Sequence, residues 1–345
     1  MSKIYSYLGS QGFGSYEIDL ERKTFHRVDQ PADTLLVPGF IDIHTHGAFG
    51  IDFMGAQPGE MELLCAKLAE RGYEGFLPTT VTASASDVQR ALDGMPDHSM
   101  ILGFHLEGPF ISPVFPGAQP KESIIDPPVA ASEWDAILDD PRLKVITMAP
   151  ERPGASELIS RLTSRGVKVS MGHTNATYDE AALGFAAGAS HTTHTFNAMR
   201  PLHHREPGMV GYALGNDDIY TELIYDRLHV RKESAEVLFR CKTPDRIVAI
   251  SDSVMAAGLE PGQTIKMWAL DVVVGNKEVR LPNGTLAGSG ITLLDAFQNL
   301  YEDFGPERAI LACCLNPRQA IGLHRSPAVY VEFNQKLEIE NLHKA

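Results

Sequence analysis

The sequence predicts an α/β fold, a (β/α)8 TIM-like barrel with a small β-domain formed by the N- and C-terminal segments. Three observations carry this reading. Eight apolar runs of strand length recur along the 345 residues. Segments with helical spacing separate most of them, and the two ends of the chain alternate apolar and polar residues instead. A chain of this length with 43% apolar residues can bury a full core.

Taken in order, residues 1–37 carry short alternating patterns such as SYEIDL and read as the N-terminal part of the small β-domain. The barrel is expected over 38–324. Its strands are GFIDIHT at 39, GFLPTTV at 75, MILGFHLE at 100, LKVITMAP at 143, VKVSMGH at 167, SHTTHTF at 190, TELIYD at 221 and RIVAISD at 246. They are too apolar to have a wet face, which implies a parallel sheet covered on both sides. Between them MELLCAKLAERG, SELISRLTSRG and DEAALGFAAG have helical spacing and end in glycine. Thr174 or Asn175 reads as the cap of the third. After the eighth strand, TIKMWALDVVVGNKEVRLPNGTLAGS reads as a β-hairpin insertion near 263–285, with Asn283-Gly284 as its turn signal. The tail 325–345, with VYVEFNQKLEIENL, completes the small β-domain.

Composition narrows the function classes. A formal net charge of −14 repels a phosphate backbone over most of the surface, so nucleic acid is not an expected partner. No run reaches the roughly 18 apolar residues of a membrane span, and MSKIYSYLGSQG lacks a signal-peptide pattern, so a cytoplasmic location is expected. Cys65, Cys241, Cys313 and Cys314 form no CxxC pair and read as reduced structural thiols, the last two in a buried helix, ILACCL.

In a barrel of this kind functional groups stand at the C-terminal ends of strands. That filter returns His44 and His46 after the first run, Glu107 after the third, His173 after the fifth, His194 in the sixth, His229 after the seventh and Asp252 after the eighth. Imidazoles and carboxylates converging on one mouth are the composition of a divalent metal site, and they suit zinc or iron, with room for two ions. Singly, each motif has a plain structural reading as a turn, a cap or a loop. Their joint occurrence in strand order is what points to a site. His191 and His194 are three apart in an extended chain, so at most one faces the interior, and His194 is favoured. His203 and His204 fit packing or exposure as well as a substrate contact. His26, His98, His105, His324 and His343 read as structural or exposed, with His105 turned away from the neighbours of Glu107.

The motifs PGFIDIHTHG, PTTVTA, HLEGPFI, GHTNATYDEA, THTFNAM, HHREPGMVG, LHV, SDSVMAAG and LAGSG resemble those of the N-acetylglucosamine-6-phosphate deacetylases of the amidohydrolase superfamily, from about Val37 to about Gly322. The resemblance implies a barrel of the metal-dependent hydrolase type. It implies that Glu107, His173 and His194 hold the principal ion, zinc or iron, and that His44 and His46 can hold a second. It makes Asp252 the catalytic acid and base. Ala118, Gln119, Asn197, Ala198, Arg205, Asp226, Arg227, His229, Leu286, Ala287 and Gly288 match substrate-binding positions, Arg205 as a phosphate contact. The implied partner is a phosphorylated N-acetyl amino sugar, glucosamine or galactosamine, and the implied assembly a homodimer.

Three positions depart from the family pattern. Gln119 stands where a histidine is usual, Arg227 replaces a glycine, and the tail lacks the usual glycine-rich segment. The first two leave open another N-acyl or cyclic amide substrate. A sugar-phosphate-binding protein without turnover is the reading from a different class, and the intact Glu107, His173, His194 and Asp252 argue against it.

Overall fold

The computed structural model describes residues 2–268, 270–280, 284 and 286–345. Eight strands, Phe40–Thr45, Tyr73–Pro78, Phe104–Glu107, Leu143–Met148, Lys168–Met171, His191–Thr192, Tyr220–Ile224 and Ile247–Ile250, fall on the eight runs. The last six form one sheet in sequential order with every pairing parallel. The first two pair parallel with each other. Parallel bridges Phe76–Ile101 and Thr79–His105 join the second to the third. The eighth reaches the first where the Asp252 N–H donates to the His44 carbonyl at 2.9 Å, which closes the ring. Buried Asp42 reinforces that seam, its Oδ1 accepting from the His44 and Ser251 N–H groups, each at 3.3 Å.

Adjacent residues on one strand enter different clusters. Phe40, Phe76 and Ile146 pack with Leu64, Leu68 and Leu158 of the surrounding helices. Ile41, Leu77 and Val145 pack with Ile224, Val248 and Ile250 in a separate cluster. Side chains alternate along a strand, so burying both faces requires the unbroken apolar runs seen in the sequence. The helix Tyr178–Ala186 starts one turn later than the sequence reading placed its cap. Thr177 accepts from the Glu180 N–H, and the Glu180 carboxylate accepts from the Thr177 N–H. Thr174 and Asn175 instead donate to Glu151. The four cysteines are free, with Cys313 and Cys314 buried in a π-helical turn, Leu311–Leu315.

The chain ends share one six-stranded sheet, ordered Ile339–Lys344, Val329–Phe333, Leu35–Pro38, Lys3–Gly9, Gly12–Asp19, Thr24–Arg27. The insertion is larger than a hairpin. Thr264–Met267, Leu270–Val274, Glu278–Arg280 and Leu286–Ser289 form a four-stranded antiparallel sheet; Asn283 of the expected turn lies outside the described residues. Among the described residues no helix is long and apolar enough to cross a membrane.

Barrel and terminal sheet meet at Glu74. Its Oε2 accepts from the N–H groups of Ala328 and Val329 at 3.0 and 3.3 Å and from the Arg318 guanidinium, while Arg325 stands 3.6 Å from Oε1. Glu74 and Arg318 are both buried. Removing one partner of a buried pair leaves the other charge poorly compensated, at a cost of about 3–5 kcal/mol. Arg318→Met should therefore lower unfolding stability by about that much in equilibrium denaturation. A loss under about 1 kcal/mol would show that the pair does not hold the two parts together.

Candidate active site

The residues expected at the strand ends do converge. His46, Glu107, Gln119, His173, His194, Asn197, Ala198, His229 and Asp252 line one cavity of about 180 Å³, together with Ala118, Leu286 and Gly288. Three of them sit where the chain leaves a strand in the left-handed region, His173 at φ 46°, His194 at φ 29° and Asp252 at φ 46°. Such backbone costs on the order of 1–3 kcal/mol per residue, so the surrounding packing must enforce it.

The hydrogen bonds of the imidazoles decide which nitrogen faces the cavity. Nδ1 of His46 is 3.1 Å from the Thr79 carbonyl, Nδ1 of His173 is 3.1 Å from that of Phe115, and Nδ1 of His194 is 3.2 Å from that of Asn197. A carbonyl can only accept, so each Nδ1 carries a proton, and in the neutral ring Nε2 offers a lone pair. Nδ1 of His44 makes the equivalent bond, at 3.2 Å, to the Glu222 carboxylate. The four Nε2 atoms then point at two carboxylates. His173 and His194 reach Glu107 Oε1 at 3.2 and 3.3 Å and stand 3.1 Å from each other. His44 is 3.4 Å from Glu107 Oε1 and from Asp252 Oδ1, and His46 is 3.3 Å from Glu107 Oε2 and from Asp252 Oδ1.

A cluster of acceptors at these separations fits a cation. Ligand atoms about 2.0–2.2 Å from one ion and spread tetrahedrally stand roughly 3.4 Å apart. Among the described residues two groups meet the requirement, Glu107 with His173 and His194, and Asp252 with His44 and His46. His44 Nε2 is also buried without a hydrogen-bond partner. Without an ion, protons take over part of its electrostatic role. Burial alone would push the imidazoles of His44 and His46 down. The carboxylates of Glu107 and Asp252 outweigh it, holding His44 well above its ordinary value and His46 up at about 9. The same attraction overcomes burial at the acids, with Glu107 held well below the carboxylate range and Asp252 down at about 2.

Gln119 and His229 are held in place. The Gln119 amide accepts from the Thr82 N–H at 2.7 Å and donates to Glu107 Oε2 at 2.6 Å. His229 Nδ1 donates to Asp226 Oδ2 at 2.6 Å, and Asp226 Oδ1 accepts from the N–H groups of Leu228 and His229.

Several expected contacts stand elsewhere. Asp226 does not line the cavity; both of its oxygens hold His229 and its loop. Arg227 turns away from the cavity to Asp303 at 2.6 Å and Glu302 at 2.8 Å, so it neither crowds the cavity nor faces it. Arg205 is exposed beside His204 and outside the cavity lining. Ala287 is buried in the insertion's apolar cluster, because alternation on Leu286–Ser289 turns only Leu286 and Gly288 to the cavity. His105 is not turned away from the neighbours of Glu107. Two residues apart on one strand they share a side, and its ring lies 4.6 Å from that of His44, bonded to the Ile43 carbonyl and Thr147. His191 is buried against Tyr220, and burial pushes it down to about 3.

Two residues escaped the sequence reading. Glu222 lies inside an apolar strand, and its Oε2 accepts from His44 Nδ1 and from the His194 N–H. A lone carboxylate in TELI was the available signal. Trp268 closes one side of the cavity, and its signal was a tryptophan at the end of a strand in the insertion.

Loading the metal-free protein at pH 7 should release protons. The raised imidazoles of His44 and His46 are protonated there and must lose a proton to become ligands, so affinity should fall as pH drops below about 9. Titrating a divalent ion into weakly buffered protein with a pH indicator measures this. Ion uptake without proton release would contradict the ligand assignment.

Comparison with known proteins agrees with the geometry. The amidohydrolase family model matches residues 35–326. The N-acetylglucosamine-6-phosphate deacetylase of Bacillus subtilis (strain 168) is 39% identical over 288 residues, 80% of this chain and 72% of its own. The N-acetylgalactosamine-6-phosphate deacetylase of Escherichia coli O157:H7 is 36% identical over 298 residues, 84% of this chain and 78% of its own. The crystal structure of N-acetylglucosamine-6-phosphate deacetylase from Thermotoga maritima matches with a TM-score of 0.88 at 32% identity, over 100% of this chain and 98% of that one. A mutant of the Mycobacterium smegmatis enzyme in complex with N-acetyl-D-glucosamine-6-phosphate matches with a TM-score of 0.87 at 30% identity, over 96% and 93%. With a family model spanning most of the chain and relatives above 30% identity along most of it, this protein belongs to the amidohydrolase family, among its N-acetylglucosamine-6-phosphate deacetylases.

Proposed function

We propose that the protein hydrolyses the acetamide of an N-acetyl hexosamine 6-phosphate, N-acetylglucosamine 6-phosphate first, releasing acetate and the amino sugar phosphate. The observation that carries this reading is the convergence of four Nε2 lone pairs on Glu107 and Asp252 at the floor of one cavity. Glu107, His173 and His194 would hold the principal ion, and His44 and His46 with Asp252 a second; imidazole with carboxylate suits zinc or iron. A bound divalent ion supplies a water acidic enough to react near neutral pH and a Lewis acid for the carbonyl.

Asp252 has the protonation state that the first step needs. Held at about 2, it is ionised at neutral pH and can take the proton of the attacking water. Returning that proton to the nitrogen lets the amine leave as the C–N bond breaks, so hydroxyl ends on the acyl carbon and hydrogen on the amine. Gln119, fixed by Thr82, presents an amide N–H on the cavity wall for the acyl oxygen, and His229, its Nδ1 proton held by Asp226, presents Nε2 to a sugar hydroxyl. Asn197 and Ala198 supply further sugar contacts. Arg205 on the exposed loop beyond Ala198 is a cation for the phosphate. A phosphorylated sugar as substrate also fits a cytoplasmic enzyme.

The relative named for the galactosamine epimer supports that substrate as a second reading. Acetate release from the two phosphorylated epimers and from unphosphorylated N-acetylglucosamine, with metal measured on the same sample, separates them. Release from a phosphate ester is expected, and none from either would sink the proposal. Asp252→Asn should keep the principal ion and lose at least about a hundredfold in turnover. An active variant would remove Asp252 from the proton path.

A further inference from the structure

We infer that Trp268 is the wall of the acyl subsite and limits the N-acyl group to acetyl, with Asp52 as the residue that positions it. The inference rests on the deacetylase reading above. Trp268 follows the strand Thr264–Met267 and brings the insertion sheet to the cavity. Its indole Nε1 donates to Asp52 Oδ2 at 2.6 Å, and Asp52 in turn accepts from the Gly55 N–H at 3.2 Å in the loop after the first barrel strand. Tryptophan has one hydrogen-bonding group, and Asp52 occupies it. The indole therefore offers the cavity only hydrocarbon.

The position of that hydrocarbon selects the part of the substrate it meets. The indole and the ring of His46 are 5.3 Å apart, edge to face, and His46 Nε2 lies 3.3 Å from Asp252 Oδ1. The acyl carbon must be within reach of Asp252 to react. Its own alkyl substituent is the nearest apolar group to that point, whereas the sugar is attached beyond the amide nitrogen and meets Asn197, Ala198 and His229. The indole therefore bounds the space open to that substituent. A longer chain must displace the indole, against the Asp52 hydrogen bond and against the packing of Trp268 on the insertion's apolar cluster. The backbone of Trp268, at φ 50°, also holds the side chain where it is.

The test compares kcat/KM for the N-acetyl, N-propionyl and N-butyryl forms of glucosamine 6-phosphate, with metal content measured on each protein. A pocket distinguishes one methylene by roughly ten- to two-hundredfold. The acetyl-to-butyryl ratio should fall at least about tenfold in Trp268→Ala. Trp268→Phe keeps a ring on that wall but loses the bond to Asp52, so its ratio should fall between those of the wild type and Trp268→Ala. Asp52→Ala should relax the ratio part of the way by freeing the indole, and it reads the same quantity if Trp268→Ala loses its ions. An unchanged ratio in Trp268→Ala, or an equal loss on all three substrates as expected from stacking on the sugar, would overturn the inference. Absence of acetate release by the wild type is a different result, which would overturn the deacetylase reading and this inference with it.

Discussion

The site depends on where four imidazoles place their protons. The carbonyls of Thr79, Phe115 and Asn197 and the carboxylate of Glu222 each engage an Nδ1, and that fixes the lone pairs of His46, His173, His194 and His44 toward one point. Turning any ring over would break its outward bond and aim a C–H, in place of Nε2, at the others. The backbone is built around this demand. His173, His194 and Asp252 occupy left-handed conformations, and Phe115 and Asn197 reach the rings from the loops after the third and sixth strands. Glu107 works from the centre, with Oε1 facing three of the rings and Oε2 shared between His46 and Gln119.

The barrel supplies the rigidity that such a cluster needs. Its strands are buried on both faces, with Phe40, Phe76 and Ile146 against helices and Ile41, Leu77 and Val145 in their own cluster, so a strand end cannot shift without disturbing two sets of contacts. The seam between the eighth and first strands is closed partly by the side chain of Asp42, two residues before His44. The same residues that complete the ring thus set the height of the first two histidines and of Asp252.

Much of this could be read from the sequence because it is local. Strand-length apolar runs, glycine at helix ends and alternating terminal segments depend on a few neighbouring residues, and they lead to the barrel and the shared terminal sheet. Ligand candidates could be named because a strand end followed by His, Glu or Asp is also local. Side-chain direction across long separations could not. Glu222 meets His44 from 178 residues away, and Arg227 turns outward because Glu302 and Asp303 happen to lie beside it. His105 is legible locally, since period-two alternation puts it on the side of Glu107. The insertion, with its interrupted pattern, hid both its four strands and the inward reach of Trp268.

We propose that these lone pairs hold divalent ions. Crystals of the protein loaded with zinc or iron, with anomalous diffraction collected at the metal's absorption edge, test it directly. A peak bounded by Glu107, His173 and His194 is expected, with a second allowed between His44, His46 and Asp252. A map with no peak at the first position, or with its strongest peak away from the cavity, would contradict it.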